Sequence, residues 1–251
     1  MPKSATSMLP RLAAEFFVIV IGVLVALGVD SWTTDRAERV LEREYLQRLL
    51  DDVHYDLGEF AFLDSIGQIG FEASVTLTAP QAVADLAPSL LVATVAAAAN
   101  ERQPDLSRST YRELLSSGRI DLIQAPDVRI ALAAYDRRIL ETESIWVNNS
   151  PNLRVWAWSR IPSAVWDRFV DACTVDAGDA GDAAFRVRKV CEFDLGGWST
   201  RSLRQDVQGA EAQQRLLLAG HRFKIGLATT EQLAMLAAEL VAALERSLSD
   251  T

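Results

Sequence analysis

Thirty-four acidic against 25 basic side chains give this 251-residue chain a net charge of −9, and no concentrated basic surface of the kind that general nucleic-acid binding needs is visible. Apolar residues make up 49% and aromatics 8%, so the chain is globular rather than disordered. Two cysteines and two histidines, Cys173, Cys191, His54 and His221, are too scattered for the short ligand spacings of a zinc site, and no metal or cofactor is expected.

In chain order, a short tail over 1–11 leads into an apolar stretch over 12–32. Phe16 to Val29 contains no charged or hydrogen-bonding side chain, and Leu12 to Val29 as a helix is about 27 Å long, enough for a thin bilayer. Trp32 falls at the far boundary, where an indole sits well among headgroups. The reading is a transmembrane helix. A cleaved signal peptide is the rival, with Lys3 and Arg11 as its basic region and Ala26-Leu27-Gly28 as its cut. Helix-compatible sequence runs straight on through Arg36 to Leu50 without a turn residue, which favours an uncleaved anchor.

Within the span, Glu15 is the residue at odds with its surroundings, because a charged carboxylate in hydrocarbon is costly. Helical spacing puts Glu15, Val18, Gly22 and Ala26 on one face, with Gly22 and Ala26 forming a small-x-x-x-small contact. That face is expected either to pair with a second copy or a larger membrane complex, or to let Glu15 snorkel to the headgroups. Lys3, Arg11 and the terminal amine balance Arg36, Arg39 and Arg43 beyond the span. The short basic tail before the apolar segment resembles a signal anchor, and Arg in large excess over Lys fits a bacterial gene. A single-pass inner-membrane protein with its domain in the periplasm is therefore expected.

Residues 33–66 read as a charged helical stalk that becomes amphipathic as it enters a helical domain over 67–251. Leu46, Leu49, Leu50, Val53, Leu57 and Phe60 trace one helix face. His54 is expected on the flank of that helix rather than in a ligand set. Two stretches here and downstream carry a resemblance. Gly22-Val23-Leu24-Val25-Ala26-Leu27, Val29-Asp30, Trp32, Glu44-Tyr45-Leu46 and Arg48-Leu49 are followed by Thr110-Tyr111, Glu113-Leu114-Leu115, Ser116-Ser117-Gly118 and Ile120-Asp121-Leu122-Ile123. Together they are similar to the opening of a family of bacterial single-span membrane proteins, domain-of-unknown-function family 6090. This chain departs from the family in having Asp30 where members carry Asn and Gly28 where they carry a polar residue. The resemblance covers roughly residues 1–140 and implies membrane anchoring and a helical domain, with no activity and no catalytic residues.

Beyond the stalk, breaks are expected near Ala79-Pro80 and near Pro88, and the Ala-rich run Ser89 to Ala99 reads as a buried core helix too short to cross a bilayer. Ser109 or Thr110 is expected to cap the next helix, with Glu113 completing a capping box and Gly118 stopping it; Pro126 then opens another. Trp146, Trp156, Trp158 and Trp166 crowd between helices, and they read as a ligand groove, a contact with the bilayer surface, or packing. Asp176 to Asp182 alternates acid and glycine, but its spacing is wrong for a calcium loop and it reads as a solvated loop. Cys173 and Cys191, on either side of it, close a disulfide in an oxidising compartment or remain two buried thiols. Residues 211–248 read as one long helix or two consecutive ones, with Gly220, Gly226 and Thr229-Thr230 as weak points. Its stripe Leu233, Leu236, Leu240, Leu244 suits coiled-coil-like packing on its own or a partner's helix.

The fold class is mainly α: one membrane helix, a helical stalk and an all-helical domain. No nucleophile elbow, phosphate loop or metalloprotease motif is present, so a non-enzymatic anchored interaction or scaffold protein is expected. A membrane-tethered sensor using the Trp-rich region is the second reading.

Overall fold

The computed structural model describes residues 9–100, 102, 104–148, 153–173 and 190–250; the side chains of 9–15, 18 and 144–148 lie outside that description. The chain is mainly α, and no strand occurs among the described residues. Helix α1 runs Leu9–Thr78 without interruption, 70 residues or about 105 Å. Short helices follow, α2 (Pro80–Asp85) and α3 (Pro88–Ala98), then α4 (Ser109–Ser116), a 3₁₀ turn (Ile120–Leu122) and α5 (Pro126–Asn148). The chain continues with α6 (Leu153–Trp158), α7 (Ser163–Cys173), α8 (Arg201–Gln208) and α9 (Ala210–Asp250).

The frame is an antiparallel pair. Helix α9 returns along the second half of α1, so that Phe223 meets Gly70, Leu227 meets Gly67 and Gly220 meets Ser74. Glycine on one helix against a larger residue on the other lets the two backbones approach closely. Gly220 is therefore a close-packed position, and Gly226 a buried one, in an unbroken helix, where the sequence marked weak points. The stripe Leu233, Leu240 and Leu244 is buried against α1 and α5 of the same chain, which settles its partner as internal.

Two apolar cores lie along this pair. The first, nearer the N-terminal end of the frame, joins Leu46, Leu49, Val53 and Phe60 of α1 to Leu114, Ile123, Leu132 and Ile139, and to Leu233, Leu240 and Leu244. The second joins Leu77 to α3, α6, α7, α8 and the start of α9. Pro80 and Pro88 stand at the first positions of α2 and α3, where a missing N–H costs nothing. Leu91 to Ala99 is buried on all sides, as an apolar run of that length requires.

Two expectations need correction. The boundary drawn at 66/67 does not exist, because α1 passes through it and packing already begins at Glu42 and Tyr45; only residues up to Val40 are an exposed stalk. Helix α4 has no side-chain cap from Ser109 or Thr110 and no capping box. Its N-cap is Arg108; the Asp52 carboxylate on α1 accepts from the Thr110 N–H, while Glu113 accepts from the Tyr45 hydroxyl at 2.7 Å and from Arg48. Among the described residues, α9 is long and apolar enough to cross a membrane, while the span expected at 12–32 lies partly outside the described side chains. In α9 the most apolar window is 39% buried, and the helix is the packing partner of α1, as a core helix should be.

Candidate functional site

Between Val53 and Phe60, both in the core, the face of α1 carries Asp56, with Asp52 one turn before it and Glu59 one turn after. This spacing of four and three residues aligns three carboxylates on the side that packs. The segment 104–108, which precedes α4 and has no helical structure, lies along them. Asp52 accepts from the Ser107 hydroxyl at 2.6 Å, and Asp56 accepts from the Ser107 backbone N–H at 2.6 Å. Glu59 pairs with Arg102 at 3.3 Å.

Helix α5 closes the other side. The Tyr135 hydroxyl donates to the second oxygen of Asp56 at 2.7 Å, and Arg108 donates to Asp136 through Nε at 2.9 Å while reaching Glu143 at 3.4 Å. Asp56 is fully buried and Arg108 nearly so. Burial pushes the Asp56 carboxyl up to about 6, against the Tyr135 and Ser107 hydrogen bonds, which pull it down; Asp52 and Glu59 add to the rise. Burial, and then the adjacent Asp56 charge, raises the Tyr135 phenol. Leu49, Val53, Leu132 and Ile139 line a cavity of about 20 Å³ beside this network, enough for one water. The arrangement fastens a loop to two helices by way of an acid that, among the described residues, has no cation of its own.

This cluster was not among the residues expected to matter, although its signal was in the sequence: Asp56 interrupts the apolar face traced by Val53, Leu57 and Phe60. The expected sites fare differently. Trp156 is buried in the second core, with the Arg160 guanidinium 4.7 Å over its ring. Trp166 meets Phe169 edge-on at 5.9 Å, whereas Trp158 is 47% exposed beneath Arg154. Trp156 belongs to the second core and Trp166 packs against it half-buried, while the side chain of Trp146 lies outside the description.

Cys173, the last residue of α7, and Cys191 are joined in a disulfide with their Cα atoms 5.7 Å apart, so the reading as two separate thiols is set aside. The acidic loop 176–182 lies outside the described residues. Of the membrane face, Gly22 has open space around it and the side chains of Glu15 and Val18 are outside the description. On the side of the domain nearest the N-terminal half of α1, a cleft of about 390 Å³ is bounded by Arg39, Glu42, Asp127, Arg246 and Asp250, charges of both signs.

No known protein family matches this chain, and neither a curated protein nor a solved structure does.

Proposed function

We propose that the chain is a single-pass, membrane-anchored interaction or scaffold protein, with the first part of α1 in the bilayer of a bacterial inner membrane and the helical domain standing on its periplasmic side. The observation that carries this reading is an apolar collar without protein around it. Phe16, Phe17, Ile19, Ile21, Val23, Leu24, Val25, Leu27, Val29 and Trp32 are 54–66% exposed on all sides of a helix continuous with the domain. A helix apolar all round is stable in hydrocarbon or in a core, and among the described residues no core surrounds this one. Trp32 stacks beneath the Arg36 guanidinium at 5.9 Å, an aromatic–cation pair suited to the headgroup layer.

The disulfide supports an oxidising compartment for the domain. The burial of Trp156 supports an interaction role over a tryptophan-lined ligand site. The resemblance to family 6090 and self-association through Gly22 and Ala26 belong to the same proposal.

The test has two readings from one preparation. Membranes washed with alkaline carbonate retain an integral span and release a peripheral protein. Retention is expected, and release removes the anchor. In intact cells a Ser249→Cys protein treated with an impermeant thiol reagent is expected to label, whereas protection places the domain in the cytoplasm.

A further inference from the structure

We propose that the segment 104–108 is a proton-controlled strap: it is fastened across α1 and α5 when the Asp56 carboxyl carries a proton and loosened when that carboxyl ionises. The geometry supplies the reason. Each oxygen of Asp56 has one neutral donor, Ser107 N–H on one side and Tyr135 O–H on the other. The cations nearby are committed elsewhere, Arg102 to Glu59 and Arg108 to Asp136 and Glu143. The groups one turn away on α1 are Asp52 and Glu59, and α5 contributes Tyr135 and the salt-bridged Asp136. Asp105 on the strap interacts with Tyr55, where it too acts as a negative charge.

A buried carboxylate between two further acids, held by neutral donors alone, is costly to keep charged. The neutral acid retains both links. Its carbonyl oxygen accepts from Ser107, and its own hydroxyl shares a hydrogen bond with the Tyr135 oxygen. Proton uptake therefore removes a charge without removing a contact, and burial already places the titration near neutrality.

Loosening falls on the strap because it is the weakest element touching Asp56. Helices α1 and α5 are tied to each other and to α9 by the first apolar core, whereas 104–107 makes no helical hydrogen bond and Arg108 joins α4 only as its N-cap, accepting from the Arg112 N–H. Lifting the strap opens the small cavity floored by Leu49, Val53, Leu132 and Ile139. The proton thus governs access to an apolar patch between α1 and α5. The device belongs to the domain and does not depend on which membrane, or whether any, holds α1.

Amide exchange of the full-length protein in detergent, corrected for intrinsic rates, tests it at Ser107 from about pH 5 to about pH 8. Wild-type protection is expected to fall about tenfold or more as pH rises, one decade for each unit by which the strapped state raises the carboxyl. Asp56→Asn, which keeps a donor and an acceptor without charge, should hold the acid-form protection throughout. Asp52→Asn should move the wild-type midpoint to lower pH by removing a neighbouring charge. Wild-type protection that stays flat or rises with pH overturns the strap. So does an Asp56→Asn profile that follows the wild type, and if that variant does not fold, an unmoved midpoint in Asp52→Asn overturns it instead.

Discussion

Phe223 of α9 lies on Gly70 of α1 so closely that a Cβ added at 70 would overlap its ring. Two long antiparallel helices meet here at the start of the second core, and the ring takes the space a side chain would occupy. Alanine ordinarily stabilises a helix interior relative to glycine by about 1 kcal/mol. At this position the overlap reverses the sign, because a buried ring cannot swing aside as a flexible chain end can. Gly70→Ala is expected to lower stability by about 1–3 kcal/mol, the usual range for overpacking. A double-mutant cycle with Phe223→Leu, measured by urea unfolding, should recover part of that loss. Additive effects would show that the two residues do not share the space.

A second glycine tests the backbone rather than packing. Gly118 has φ +67°, and it ends α4 with two hydrogen bonds, Gly118 N–H to Leu115 O and Arg119 N–H to Leu114 O. Those are the paired bonds of a Schellman stop, which needs a left-handed residue at this place. Nothing lies near its absent Cβ, so Gly118→Ala should cost about 1 kcal/mol through conformation alone. Gly118→Asn should cost less, since asparagine tolerates that region best after glycine. Equal losses for the two would put the effect somewhere other than φ.

These two glycines also mark what was legible in advance. Gly118, Pro80, Pro88 and Pro126 act locally, and each stands where its own backbone chemistry demands, so punctuation and the buried α3 could be read from sequence. Gly70 and Gly220 act across the interface between α1 and α9. Nothing in their own neighbourhood distinguishes a close-packed glycine from a weak point, and Gly220 was read as the latter. The mainly helical class followed from periodicity, but the domain edge at 66/67 did not survive, because a helix can pass from solvent into a core without changing its local sequence. Glu113 shows the same limit. Its three-residue spacing from Thr110 fits a capping box, yet Tyr45 and Arg48 on a distant helix claim the carboxylate, and the burial of Asp56 beside Ser107, with Asp52 half-buried alongside, depends on that same long-range packing.

The Cys173–Cys191 bond closes a loop of 18 residues in sequence at the edge of the second core. By chain entropy such a loop restricts the unfolded state by about 3 kcal/mol. Urea unfolding with reductant, or of a Cys173→Ser/Cys191→Ser protein, is expected to show a loss of that order, with the second core weakened first. Val190 and Phe193, which lean on that core, would then exchange their amides faster than Leu49 and Leu132 in the first core. Uniform acceleration across both cores would mean that the two unfold as one unit.

Tyr135→Phe removes one of the two donors to Asp56 while keeping the ring that packs in the first core. A hydrogen bond to a charged group contributes about 1.5–3 kcal/mol, and more is lost when the remaining partner is buried. The loss depends on charge, so it depends on pH. The folded-state carboxyl is raised to about 6 from an ordinary 3.8, so between those values the folded state binds more protons than the unfolded one. This group's contribution to stability is therefore full below about 3.8, falls as pH rises through the window, and is gone above about 6. In the Tyr135→Phe protein the ionised acid has lost a donor, which pushes the carboxyl higher still and stretches the window upward. The stability difference between wild type and variant should be large at about pH 8 and shrink on acidification to about pH 5. Urea titrations at the two pH values measure it directly. A difference that stays constant would assign the hydroxyl a packing role, and one that grows in acid would mean that Tyr135 serves the protonated form.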